Sequence, residues 1–319
     1  MNPSDERPHV QPPSTWAIVL AFVIIYISWG TTYYATSVAM KQETMPPALF
    51  GGLRLLLAGN ILLLYQLVCG QSLRLSWRDA TRVFLISCFL FLAGNLLINI
   101  GQKKVESGVS AILIATTPLW MGVFGAFWPQ GEQLSWRGWL GLLIGFVGIV
   151  VTMLPQLADH MQVMNDYYPL LILGSAACWA IGSLASRHMA LHIPHLTSAG
   201  FQMVFGGLSQ VALGTALGEW QQKSLEEINE RVIGTFLYLL IFGSLAGFVA
   251  FNWLLGHVPV AKVGTYAYVN PVIALLVGCS LGETAFRFSL ALGIAIVLAG
   301  VYLVRGDHRP TEEIEMEPD

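Results

Sequence analysis

Charge is scarce in this chain. Asp, Glu, Lys and Arg make up 11% of its 319 residues, against roughly a quarter of an ordinary soluble domain. Too few charged side chains exist to cover a water-facing surface when 55% of the residues are apolar. The mean hydropathy of +0.63 is that of a chain whose solvent is lipid. A net charge of −3 and an isoelectric point near 6.2 leave no basic surface for nucleic acid, and no zinc-finger or basic-helix pattern occurs. Cysteine is scarce as well. Cys69, Cys88, Cys178 and Cys279 stand singly in apolar surroundings without a CxxC pair, so they read as buried or lipid-facing thiols rather than a redox or metal centre. The opening segment "MNPSDERPHVQPPS" lacks the positive patch of a secretory leader, and the apolar stretch after it is long enough to stay as a span.

Runs free of all four charged residue types cover 8–40, 55–73, 83–102, 107–131, 138–158, 167–186, 196–218, 232–256, 263–282 and 288–304. A helix crosses the hydrocarbon with about 20 residues, within a range of roughly 17–25. Helices satisfy their own backbone hydrogen bonds where water is absent. The expected fold is therefore an all-α membrane protein with spans at 16–38, 47–68, 80–101, 108–128, 138–155, 167–190, 195–217, 232–255, 263–281 and 286–304. Lys and Arg placement, nine on one side and six on the other, puts both termini in the cytoplasm.

The chain repeats itself. "TTPLWMGVFGAFWPQGE" at 116–132 is echoed by "VNPVIALLVGCSLGE" at 269–283: a proline, apolar residues with glycines, then Gly-Glu. "FGGL" at 50–53 recurs at 205–208, "LAG" at 92–94 recurs at 245–247, and Trp29, Asn99 and Pro118 match Trp179, Asn252 and Pro271. "GLLIGFVGIVV" at 141–151 matches "GIAIVLAGVYL" at 293–303, and all offsets lie between 150 and 155. Five spans fall in each half, an odd number, so the second half must enter the membrane inverted. Inverted repeats meeting around a midplane site mark many secondary transporters. The domains read as a disordered cytoplasmic N-terminus (1–15), a first repeat (16–155), an inverted second repeat (167–304) and a disordered cytoplasmic tail (305–319).

The segments "SAILIATTPLWMGVFGAFWPQGE" and "AKVGTYAYVNPVIALLVGCSLGE", each followed by a glycine-rich helix, resemble the EamA domain of the drug/metabolite transporter superfamily over residues 16–304. That resemblance implies ten helices around a central cavity, and export or exchange of amino acids, drugs, nucleotide sugars or other small metabolites. It also implies a bacterial inner membrane as the location. The "WPQGE" turn is two residues longer than "SLGE", so helix-end geometry differs between the halves.

Candidate site residues follow from polarity inside spans. Arg54 stands in the second span, and a charge there costs at least ~2.5–3.5 kcal/mol on insertion scales, so it faces water or a partner. Two roles stay open for it: an anchor snorkelling to the interface, or an anion contact. Its counterpart in the second half is Ser209. Asn95, Asn99 and Gln102 follow i, i+4, i+7 spacing and share one helix face, which should look inward. Trp29, Tyr33, Thr117, Trp120, Trp179, Gln202, Asn252, Tyr266 and Asn270 complete the expected solute-binding lining. Pro118 and Pro271 are candidate hinges or gates that free the carbonyls of Ile114 and Ala267.

Gly138, Gly141, Gly145 and Gly148 line one face of the fifth span and could join the two halves or two subunits, so a homodimer is one alternative. His188, His192 and His195 cluster near the sixth-to-seventh connection and read as interfacial side chains, not a metal site. No Asp or Glu falls in a span core, which points away from a midplane carboxylate relay and toward facilitated diffusion, exchange or peripheral coupling. HExxH, GxSxG, the P-loop and paired intramembrane carboxylates are all missing. The expected function is a secondary carrier of a small organic solute in the lipid bilayer, without enzymatic activity, cofactor or metal. A non-transporting sensor and an intramembrane enzyme are the alternatives.

Overall fold

The computed structural model describes residues 13–41, 46–105, 107–129, 131, 134–159, 167–221, 229–280 and 288–305. Helices α1 (Thr15–Lys41), α2 (Pro47–Val68), α3 (Trp77–Ser87), α4 (Leu96–Gly101), α5 (Ser107–Ile114), α6 (Thr117–Phe127) and α7 (Trp136–Asp159) come from the first half. The second half supplies α8 (Tyr168–His188), α9 (His195–Ala216), α10 (Glu230–Tyr238), α11 (Val249–His257), α12 (Val260–Gly264), α13 (Tyr266–Ser280) and α14 (Phe288–Arg305). Every charge-free run of the sequence holds helix. Among the described residues, six stretches are long and apolar enough to cross a membrane: Thr15–Thr36, Pro47–Val68, Trp77–Gly101, Val109–Phe127, Tyr168–His188 and Glu230–His257. Trp136–Val151 and Ala291–Val304 are shorter apolar helices. The chain is an all-α, multi-span membrane protein. The expected disordered tails, apart from residues 13–15 and 305, lie outside the described residues, as do Glu132, Glu283 and Arg287.

Two helix breaks fall near the prolines, and neither is a simple proline kink. Between α5 and α6, Pro118 occupies the first turn of the new helix, where an absent N–H removes no helical bond. The Ile114 carbonyl, expected to be freed, accepts from the Thr117 hydroxyl at 2.6 Å, and Leu113 O accepts from Thr116 at 2.6 Å. In the second half the break comes at Thr265, whose hydroxyl donates to Lys262 O at 2.6 Å, while Pro271 lies inside α13. The breaks cross each other. A Cβ added to Gly264 would lie 2.5 Å from Met121 Sδ and 3.4 Å from Pro118 Cα.

Two further irregularities have no proline. The chain winds as a π-helix over Cys88–Asn95, between α3 and α4, and again over Leu239–Phe248, between α10 and α11. Each π segment contains one of the matched "LAG" triplets, 92–94 and 245–247. A π turn breaks the regular hydrogen-bond ladder and tends to occur at functional sites. Side chains take up its carbonyls: Ser175 Oγ donates to Gly94 O at 2.6 Å, Gln210 Nε2 to Phe91 O at 2.8 Å, and Trp29 Nε1 to Gly243 O at 2.9 Å.

Glycine sets the closest helix contacts, as expected where lipid and side chains are equally apolar. A Cβ on Gly52 would lie 2.9 Å from Gly207 O, and one on Gly59 would lie 2.8 Å from Gly200 O. Numbers rise along α2 as they fall along α9, so these helices run antiparallel. The same holds for α7 and α14, where Gly141 would meet Gly300 O at 2.9 Å and Gly148 would meet Gly293 O at 3.1 Å. The glycine face of α7 is thus filled by α14 of the same chain. A second copy of the protein would have to dock elsewhere.

Candidate functional site

A cavity opens between the two halves, with an empty volume of about 850 Å³ including open solvent. α1 contributes Trp29, Thr32, Tyr33 and Thr36, and α2 contributes Arg54 and Leu55. The first π segment and α4 add Phe91, Asn95, Asn99 and Gln102, and the first helix break adds Ile114 and Thr117. From the second half come Ser175, Trp179, Gly243, Ser244, Phe248 and Tyr266. These positions displace the cavity toward the end of the bundle where α1 and α4 finish and α8 begins. Toward the opposite end Ile25, Leu184, Met203, Phe251 and Leu254 form a buried apolar layer, each at most 2% exposed, and a separate hollow lies between the start of α1, α12 and the end of α14, lined by Phe22, Tyr26, Lys262 and Val304.

Arg54 is buried, with 7% of its surface exposed, so it does not snorkel. Its Nη1 donates to Ser244 Oγ at 2.7 Å and to Leu239 O at 3.4 Å, and its Nη2 donates to Asn95 Oδ1 at 3.5 Å. Its Nε is buried without a partner, and among the described residues no carboxylate pairs with it. Asn95 Oδ1 also accepts from Asn99 Nδ2 and Gln210 Nε2, each at 3.4 Å. This amide cluster exists because Gly51 lacks a side chain. A Cβ there would run into Gln210 Oε1 and sit 3.0 Å from Asn99 Nδ2 and 3.2 Å from Asn95 Oδ1. The i, i+4, i+7 stripe faces inward as its spacing implies, and Gln102 ends it with both amide atoms buried and unpartnered.

Aromatic rings form the floor. Trp29 and Trp179 meet edge to face at 5.6 Å, Trp29 lies 4.9 Å from Tyr266, and Phe91 lies 4.9 Å from Phe248. The contacts are reciprocal between the repeats. Trp29 packs on Gly247 and Trp179 packs on Gly94, the glycines of the matched "LAG" triplets. Edge-to-face aromatic pairs add ~0.5–1.5 kcal/mol beyond area burial, so this floor is a firm element.

Four expected lining residues and both prolines sit elsewhere. Gln202 is fully buried, donates to Ser198 Oγ at 2.9 Å and accepts from Asn252 Nδ2 at 3.2 Å, so these two clamp α9 to α11. Trp120 stacks on Phe124 at 5.4 Å. Asn270 is fully buried, and its backbone oxygen backs onto Gly30 of α1. Pro118 is buried at the crossing of the broken helices, beside Gly264, and Pro271 is buried within α13. The three histidines part company: His188 neighbours Trp128, His192 Nδ1 lies 3.4 Å from Asp79 Oδ1, and His195 faces His257. Among the described residues no group of three His, Cys, Asp or Glu side chains gathers as a metal site. Cavity residues that spacing did not single out are Thr32, Thr36, Phe91, Ser175, Ser244 and Phe248. Four of these are small hydroxyl residues, whose hydropathy barely marks them within an apolar run.

Residues 15–154 and 167–306 each match the EamA-like transporter family. The chain belongs to that family. This EamA-like chain is 31% identical over 291 residues to the "uncharacterized inner membrane transporter YedA" of Escherichia coli (strain K12), covering 90% of each protein. It is 26% identical over 295 residues to the "uncharacterized transporter YvbV" of Bacillus subtilis (strain 168), covering 92% of each. A solved chain described only as "Crystal structure of protein" superposes with a TM-score of 0.72 at 23% identity, covering 91% of this chain and 97% of its own length. At that identity the likeness is one of fold.

Proposed function

We propose that this EamA-like protein is a secondary carrier of small organic metabolites that works by alternating access, with ten spans arranged as two inverted five-helix repeats, 16–155 and 167–304. The observation that carries the reading is the cavity walled by both halves, with a layer of buried apolar side chains between it and the opposite end of the bundle. A carrier held in one of its two access states has that form, whereas a channel would run through. The antiparallel glycine seams and the reciprocal Trp–Gly contacts support the inversion, because contact between equivalent residues in exchanged roles is what a two-fold relation between halves produces. The likeness to an inner membrane transporter supports a bacterial inner membrane, and the Lys/Arg distribution supports cytoplasmic termini. Sealed vesicles containing the purified protein should take up members of a metabolite panel faster than empty vesicles. A protein that binds solutes but moves none across is the sensor alternative.

A further inference from the structure

We infer that the carried solute bears an oxyanion, a carboxylate in the first instance, gripped by Arg54, with its apolar body lying on the aromatic floor; this rests on the carrier reading above. A guanidinium offers five N–H donors. Arg54 uses its two terminal nitrogens on Ser244, Leu239 and Asn95, all neutral, and its Nε has no partner. The three neutral bonds orient the cation without neutralising it. A charge kept at membrane depth without a counter-ion is destabilising, and the arrangement persists because the partner arrives with the solute. Packing alone does not call for a cation here. The equivalent Ser209 turns back onto its own helix, donating to Phe205 O at 2.8 Å.

The second half of the grip is Gln102. Its amide is buried on the same cavity wall with neither atom bonded, the state of a group whose partner is a visiting molecule. Guanidinium and amide together recognise an oxyanion and an adjacent donor. In the same cavity Trp29, Trp179 and Tyr266 offer ring surface suited to a carbon skeleton. Inorganic anions would satisfy Arg54 and leave that floor uncovered.

The test gives vesicles containing the full chain a mixture of anionic, zwitterionic, neutral and cationic metabolites, with inorganic phosphate as a separate arm, and reads uptake by mass spectrometry. The expected result is that the solutes entering above the empty-vesicle level carry a carboxylate or other oxyanion on an organic body. Arg54→Gln should lower their uptake at least about tenfold, the effect of ~1.4 kcal/mol of lost binding, and Arg54→Lys should retain part of it. Ser244→Ala, which releases Nη1 but keeps the charge, should give a smaller loss if Arg54→Gln does not fold. Entry of cations or neutral solutes instead overturns the inference and leaves the carrier intact. So does a folded Arg54→Gln protein that moves anions as the parent does, and entry of phosphate alone refutes the organic part. No uptake of any solute refutes the carrier reading itself.

Discussion

Replacing Gly52 with alanine puts a methyl group where there is no room for one. The new Cβ would lie 2.8 Å from Val211 Cγ2, 2.9 Å from Val211 N and 2.9 Å from Gly207 O. Two of those atoms are backbone, so neither can rotate aside. The contacts fall roughly half an ångström or more inside the optimum for non-bonded atoms, and α2 must move away from α9. Overpacking of this kind costs ~1–3 kcal/mol, partly offset by the ~1 kcal/mol that alanine gains over glycine in a helix. Gly207→Ala meets the same seam from the other side, 2.7 Å from Leu56 N and 2.8 Å from Gly52 O. Once one methyl has opened the seam the second fits more cheaply. The double variant should therefore be less destabilised than the sum of the singles, with a coupling of ~0.5–3 kcal/mol. Gly234→Ala is the control, since nothing lies within 4 Å of its added Cβ. Reversible unfolding in detergent, followed by circular dichroism, measures all four proteins. Singles as stable as the parent, or strictly additive effects, would refute a close antiparallel seam at this glycine pair.

Gly51→Ala should leave the fold largely intact, because the side chain it strikes first, Gln210, can swing away. By displacing Asn95 and Asn99 it should lower solute uptake about tenfold, equivalent to ~1.4 kcal/mol of lost binding; vesicle flux measured beside the melting temperature separates the two effects. Glu219→Ala should destabilise the protein by ~0.5–2 kcal/mol, read by the same unfolding assay. Its carboxylate accepts from Leu49 N at 2.9 Å and Ala48 N at 3.4 Å, capping an α2 start that Pro46 cannot cap with its own side chain. Trp29→Phe should cost at least ~0.5–1.5 kcal/mol by removing the bond to Gly243 O, with the lost half of the indole adding a cavity term, and a loss no greater than experimental scatter would count against that bond.

Much of this architecture is written in the sequence because the membrane imposes few and strong rules. Charge-free runs mark helices, and three amides at helical spacing mark an inward face, which is where Asn95, Asn99 and Gln102 lie. Arg54 was conspicuous for the same reason, though only the structure separates a cavity cation from a snorkelling one. What stayed hidden depends on pairing in space. Gln202 and Asn252 satisfy each other rather than a solute, and nothing local to either residue says so. The π segments leave no periodic trace in runs where nearly every residue is apolar. The second helix break sits at Thr265, six residues before Pro271, beside Gly264 where an added Cβ would meet Met121 of the other half.

The central claim is that one cavity serves both faces of the membrane in turn. Thr32→Cys in a background freed of the native cysteines places a thiol on the cavity wall, and a membrane-impermeant maleimide added to oriented vesicles reports which face it opens to. The account predicts labelling from one face at rest, and a gain of labelling from the opposite face when a transported solute is supplied. Labelling from both faces at all times would make the protein a pore, and a face that never changes with solute would contradict alternating access.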